Sequence, residues 1–176
     1  MPPREHLHAL RGEMRELIRA GGDWGAFALK VFRFQCACNS AYGAYVRLRG
    51  VEPSAVVDAA DIPFLPVEIF QSQWVSVLEA DAPVDRIFQS SGTTGQRRSR
   101  HVVDDLDWYD EVAWAGYEHC MGASVNRKVL ALLPGYRAES SLIHMVRSFM
   151  DKGGQKIWTL GFSWGRPTNS MPGWRN

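Results

Sequence analysis

Cysteine is scarce in this 176-residue sequence. Cys36, Cys38 and Cys120 are too few and too unevenly spaced for a disulfide framework. A Cys-x-Cys pair can seed a metal site, but no second Cys or His pair stands at ligand spacing, and positions 36 and 38 fall on different faces of a helix. The expectation is three buried, reduced thiols in a cytoplasmic protein. An excess of either charge is missing too: 20 basic residues against 19 acidic ones leave a net charge of +1, so no global field attracts nucleic acid or an anionic membrane. Lysine is nearly absent, 4 residues against 16 arginines, which reads as coding bias except where arginines cluster. No window approaches the ~18 apolar residues of a membrane span, and "MPPREHLHALRGEMREL" has none of the apolar stretch of a signal peptide. No internal repeat is visible.

What is present is ordinary core material: 45% hydrophobic residues, with seven Trp and eight Phe. "PPREHLHALRGEMRELIRAGG" predicts a helix with Leu7, Leu10, Met14, Leu17 and Ile18 on one face and Gly21-Gly22 at its end. Asp23 is placed to cap a second helix whose apolar face is Trp24, Phe27, Ala28, Val31 and Phe34, and a third runs through Tyr42, Tyr45 and Val46 to Gly50. Residues 1–60 are therefore expected to be a helical region. At "DIPFLPVEIF" two prolines force extended geometry and mark the main structural boundary. Beyond it, strands are expected at "DRIFQ", "SRHVVDD", "KVLALLPG" and "QKIWTLG". Helices are expected at "DDLDWYDEVAWAGYEHCMGA", capped by Asp104 or Asp105, and at "SSLIHMVRSFMDKGG". That alternation is the pattern of an α/β sheet domain, over 61–161, with an irregular tail at 162–176.

The chemistry concentrates in "FQSSGTTGQRRSRH". In Ser90-Ser91-Gly92-Thr93-Thr94-Gly95, the glycines let consecutive amides turn inward as an anion-binding nest, and the hydroxyls add compact donors. Arg97, Arg98 and Arg100 follow with forked donors suited to phosphate oxygens. A polyphosphate loop and a solvated hairpin turn with arginines facing water both accommodate this composition. A P-loop is excluded because Gly95 is followed by Gln96-Arg97, and neither G-x-G-x-x-G nor G-x-S-x-G occurs.

"SSGTTG" followed shortly by a base resembles the phosphate-binding loop of the adenylate-forming (AMP-binding) superfamily. With "DIPFLPVEIFQS" upstream, "LLPGYRAESSLIHMV" downstream, and Ser99-Arg100-His101 where most relatives carry Pro-Lys-Gly, the chain looks most like the acyl-protein synthetases of bacterial luminescence, the long-chain-fatty-acid–luciferin-component ligases. Enzymes similar to phenylacetate–CoA ligase are the nearest rival. The resemblance covers roughly residues 60–150. It implies ATP-dependent activation of a fatty or other small carboxylic acid as acyl-adenylate, with Mg²⁺, and transfer to a protein thiol, for example on an acyl-accepting reductase subunit. By position it implies that Ser90 to Gly95 hold the β- and γ-phosphates and that Arg98, where relatives have lysine, or Arg100 neutralises charge.

Other residues carry weaker signals. His101 either reaches a phosphate or makes a structural hydrogen bond; Tyr136, after an expected buried strand, borders the acyl pocket by the resemblance. His144 reads as a satisfied core histidine, Ser140 and Ser141 as helix caps, Cys120 as no acyl acceptor, and His6 and His8 as solvent-facing. The family's later motifs, an aromatic-Gly-x-Thr-Glu segment, a ribose-binding aspartate and a lid lysine, have no counterpart here. The expectations are a fragment of a synthetase, a short non-catalytic nucleotide- or acyl-binding paralogue, or a chain completed by a second polypeptide. A half-domain would leave apolar surface uncovered and so self-associate.

Overall fold

Pro3 stands in the first turn of helix α1 (Pro3–Ala20), where its missing amide donor costs nothing. Gly21 (φ +74°) and Gly22 (φ +146°) end the helix in backbone conformations that side chains disfavour. The structure is a computed structural model, and it describes residues 2–90, 97–122 and 139–152. As expected, Asp23 caps α2 (Trp24–Cys38), its carboxylate accepting the Ala26 amide at 2.9 Å. Asn39 ends α2 and begins α3 (Ser40–Leu48): its amide donates to the Gln35 carbonyl and its Oδ1 accepts the Tyr42 amide. One residue thus turns the chain between two helices.

Phe32, Val46 and Val56 form the buried centre of this region, with Leu29, Tyr42, Tyr45 and Ile62 packed around it. The face predicted for α2 is buried at Phe34 but not at its start. Phe32 and Phe34 are its buried residues, whereas Trp24 stays 46% exposed. The helical spacing is sound, but α3 covers the side carrying Phe32 and leaves the Trp24–Val31 stripe to an open cleft. His6 is half-buried, its ring 4.5 Å from that of Phe34, so only His8 faces solvent as expected. The thiols are free but not deeply buried: Cys36 and Cys38 are half-buried and Cys120 is exposed at the end of its helix. Burial still raises the Cys36 thiol pKa, against the nearby Arg47 charge.

Ile62, before the first proline of the elbow, is extended as predicted (φ −65°, ψ 123°), and the elbow is tied down by the Tyr42 hydroxyl, which donates to the Pro63 carbonyl at 2.7 Å. A short helix, α4 (Ile69–Ser72), follows. Strands β1 (Arg86–Gln89) and β2 (Arg100–Val103) then pair antiparallel, Gln89 opposite Arg100 and Arg86 opposite Val103. Asp105, one of the two expected caps, starts α5 (Leu106–Met121) by accepting the Trp108 amide, and α6 (Ser141–Lys152) lies against α5. Trp114 and Tyr117 of α5 meet Phe149 of α6, and Phe88 of β1, 1% exposed, packs on Tyr109 and His144. Helix α1 is held to the β2–α5 corner by Arg11, which bonds Asp104 and Asp105, and by Arg15, which makes a bidentate pair with Glu111 over the Trp108 ring.

The described residues are thus helix-rich with a two-stranded antiparallel sheet, a mixed α and β arrangement. The two further expected strands, "KVLALLPG" and "QKIWTLG", lie outside the described residues. No helix of the described residues is long and apolar enough to cross a membrane.

Candidate functional site

The strands predicted on either side of the glycine run are antiparallel partners, so the run links the two strands of a hairpin. Two bonds hold its mouth. The Ser90 amide donates to the Ser99 carbonyl at 3.1 Å, and the Ser99 amide donates to the Ser90 hydroxyl at 3.0 Å. Ser99 is buried and Ser90 half-buried, so these bonds are sheltered from competing water. The Ser90 hydroxyl therefore accepts in a closing bond, a structural role alongside any contact to phosphate. Ser91, Gly92, Thr93, Thr94 and Gly95 lie outside the described residues, as does Tyr136.

Arg97, Arg98 and Arg100 are exposed just beyond the mouth. Arg98 faces Glu139 at 3.8 Å with both side chains more than half exposed, a long ion pair worth little in water. A guanidinium in that position can exchange its partner for a phosphate, which offers better bidentate geometry. His101 makes the structural hydrogen bond considered for it: Nε2 lies 3.2 Å from the Ser99 hydroxyl, and the ring stacks on Phe70 at 4.8 Å. Its imidazole is thereby fixed beside the mouth.

Glu139 also closes the far side. Its carbonyl accepts the Gln89 amide at 2.9 Å, which brings the start of α6 against the end of β1. Neither Glu139 nor Phe70 was marked by the sequence, because their roles depend on segments distant along the chain meeting the hairpin. Helix α6 is capped by Ser140, whose hydroxyl accepts the Ile143 amide at 3.4 Å. Ser141, also expected as a cap, is instead the first helical residue and its side chain bonds Tyr109, whose hydroxyl pKa is raised mainly by burial. His144 is satisfied as expected, Nε2 lying 2.8 Å from Asp110 Oδ1 between the rings of Phe88 and Tyr109.

Three exposed arginines therefore stand within four residues at the start of β2. Guanidinium groups offer forked donors of the kind that suit phosphate oxygens. Among the described residues no group of three His, Cys, Asp or Glu side chains could cage a metal ion. Comparison of the chain with protein-family models, with curated proteins and with solved structures finds no match in any of the three.

Proposed function

We propose that the chain binds MgATP at the mouth of the β1–β2 hairpin and activates a carboxylic acid, a long-chain fatty acid by the resemblance above, as its acyl-adenylate for transfer to a protein thiol. A carboxylate oxygen bonds to the α-phosphorus, the α–β phosphoanhydride breaks, and pyrophosphate leaves. The one observation that supports this reading is the hairpin: Ser90 and Ser99, which flank the glycine- and hydroxyl-rich run in sequence, bond each other, and Arg97, Arg98 and Arg100 are exposed beside them. This arrangement suits catalysis by positioning and charge stabilisation. Arg98 and Arg100 neutralise phosphate charge, and Ser99 and Phe70 orient His101. Mg²⁺, bound with the nucleotide, supplies further charge neutralisation.

The test combines calorimetric titration of MgATP with carboxylate-dependent exchange of labelled pyrophosphate into ATP. Each charge-assisted bond contributes ~1.5–3 kcal/mol, so Arg98→Ala and Arg100→Ala are each expected to weaken ATP binding at least tenfold. Unchanged affinity in both variants removes their role. ATP binding without exchange points to a non-catalytic nucleotide-binding module.

A further inference from the structure

The apolar stripe of α2 was expected to be core, yet Trp24, Phe27, Ala28 and Val31 line an open cleft of about 550 Å³. Ile62, Leu65 and Val75, from the segment after α3, complete its apolar lining with Met14 of α1. From this geometry we infer that the cleft is a binding site for a single unbranched hydrocarbon chain, with the head group of that molecule left in solvent.

Three features select this occupant. No lining residue is charged. The polar side chains in the wall bond inward: Asn39 Nδ2 donates to Gln35 Oε1, Asn39 Oδ1 accepts the Tyr42 amide, and the Tyr42 hydroxyl donates to Pro63. A polar ligand would exchange its water hydrogen bonds for few free partners in these walls, whereas an aliphatic chain needs none. The size decides against a peptide helix, since a cylinder ~11 Å across would fill 550 Å³ with about one helical turn. Small-molecule pockets of roughly 300–1,000 Å³ with mostly apolar walls are ordinary.

Hydrogen bonds also brace the lining. Asn39 and Tyr42 lock the α2–α3 turn, and the Tyr42–Pro63 bond ties the segment after α3 to it. The inference rests on this lining alone and is independent of the nucleotide chemistry, so a chain that binds no ATP leaves it standing.

The test is calorimetric titration of the full chain with saturated fatty acids of increasing length below their micelle concentrations, and with the alcohol matching the longest acid. Affinity is expected to rise about fourfold per added methylene, the factor for ~0.8 kcal/mol per buried CH₂, until the cleft is full. Acid and alcohol should bind within about threefold of one another, because the wall engages only the chain. Ala28→Phe is expected to abolish binding of the longest chains with an unchanged circular dichroism spectrum. A flat length series in the unmodified protein overturns the inference whatever the variant does. Binding of the acid alone, or binding unaffected by Ala28→Phe in a folded protein, also overturns it. So does a ligand-free dimer that Ala28→Phe dissociates, since a second copy would then be the occupant.

Discussion

Replacing Gly43 by alanine sets two effects against each other. Gly43 lies inside α3, where alanine is ordinarily more favourable by ~1 kcal/mol. Its backbone, however, faces α2 so closely that a Cβ would stand 2.5 Å from the Cys36 carbonyl oxygen and 3.4 Å from an Arg47 nitrogen. Non-bonded heavy atoms prefer roughly 3.5–4.0 Å, so the helices must part by about an ångström. The Cys36 oxygen belongs to the backbone, so no rotamer change relieves that clash, whereas the Arg47 nitrogen ends a flexible side chain and can move aside. Overpacking costs ~1–3 kcal/mol, and a clash with backbone belongs at the upper end. The net expectation is a loss of about 1–2 kcal/mol, a fall in Tm of roughly 2–8 °C for a chain of this size. Thermal and urea unfolding followed by circular dichroism would measure it. Gly12→Ala is the control: Gly12 is also mid-helix, and a Cβ there would meet nothing within 4 Å. Gly12→Ala is expected to stabilise by up to ~1 kcal/mol. If Gly43→Ala were as stabilising as Gly12→Ala, the close approach of α2 and α3 would be refuted.

Two further outcomes follow from specific contacts. Burial pushes the Tyr42 hydroxyl up to about 12 from its ordinary 10, with Cys36 and Tyr45 adding to it. The folded state thus favours the protonated phenol, so Tyr42 contributes stability fully below pH 10 and loses it as the pH rises from 10 towards 12. Tyr42→Phe, which loses the bond to Pro63 but cannot ionise, should be less stable at neutral pH by ~1 kcal/mol and show a shallower decline in that alkaline window. The same steepness in both proteins would remove Tyr42 as the titrating group. Arg11, 12% exposed, holds α1 to Asp104 and Asp105. Losing one side of a buried pair costs ~3–5 kcal/mol; with the carboxylates 22% and 39% exposed, about 2 kcal/mol is expected for Arg11→Ala in urea unfolding. The loss should be smaller when Asp104→Asn is already present. Equal losses in both backgrounds would show that the pair itself contributes nothing.

Much of the local structure was legible in the chain. Pro3, Gly21-Gly22, Asp23 and Asp105 act through their own backbone or their nearest amides, so their capping and stopping roles need no distant partner. The strands at "DRIFQ" and "SRHVVDD" and the satisfied state of His144 were legible for similar reasons of pattern and composition. Which face of α2 is buried was not, because helical periodicity locates a stripe but not the element that covers it. The alternation of strands and helices was read as an α/β sheet; the described pairing is an antiparallel hairpin, which depends on the turn bringing Ser90 to Ser99.

By itself, then, the sequence determined where helices begin and end, where the chain stiffens at its prolines, and that small hydroxyls, glycines and arginines stand together. These are properties of neighbouring residues, carried by short-range sterics and local hydrogen bonds. Tertiary structure decided that Ser99 clasps Ser90, that Phe70 and Glu139 flank the hairpin, and that Gly43 must have no side chain. It also decided that the α2 stripe lines a cleft. Each of these depends on distances between segments far apart in the chain, and such distances exist only once the helices and the hairpin have packed.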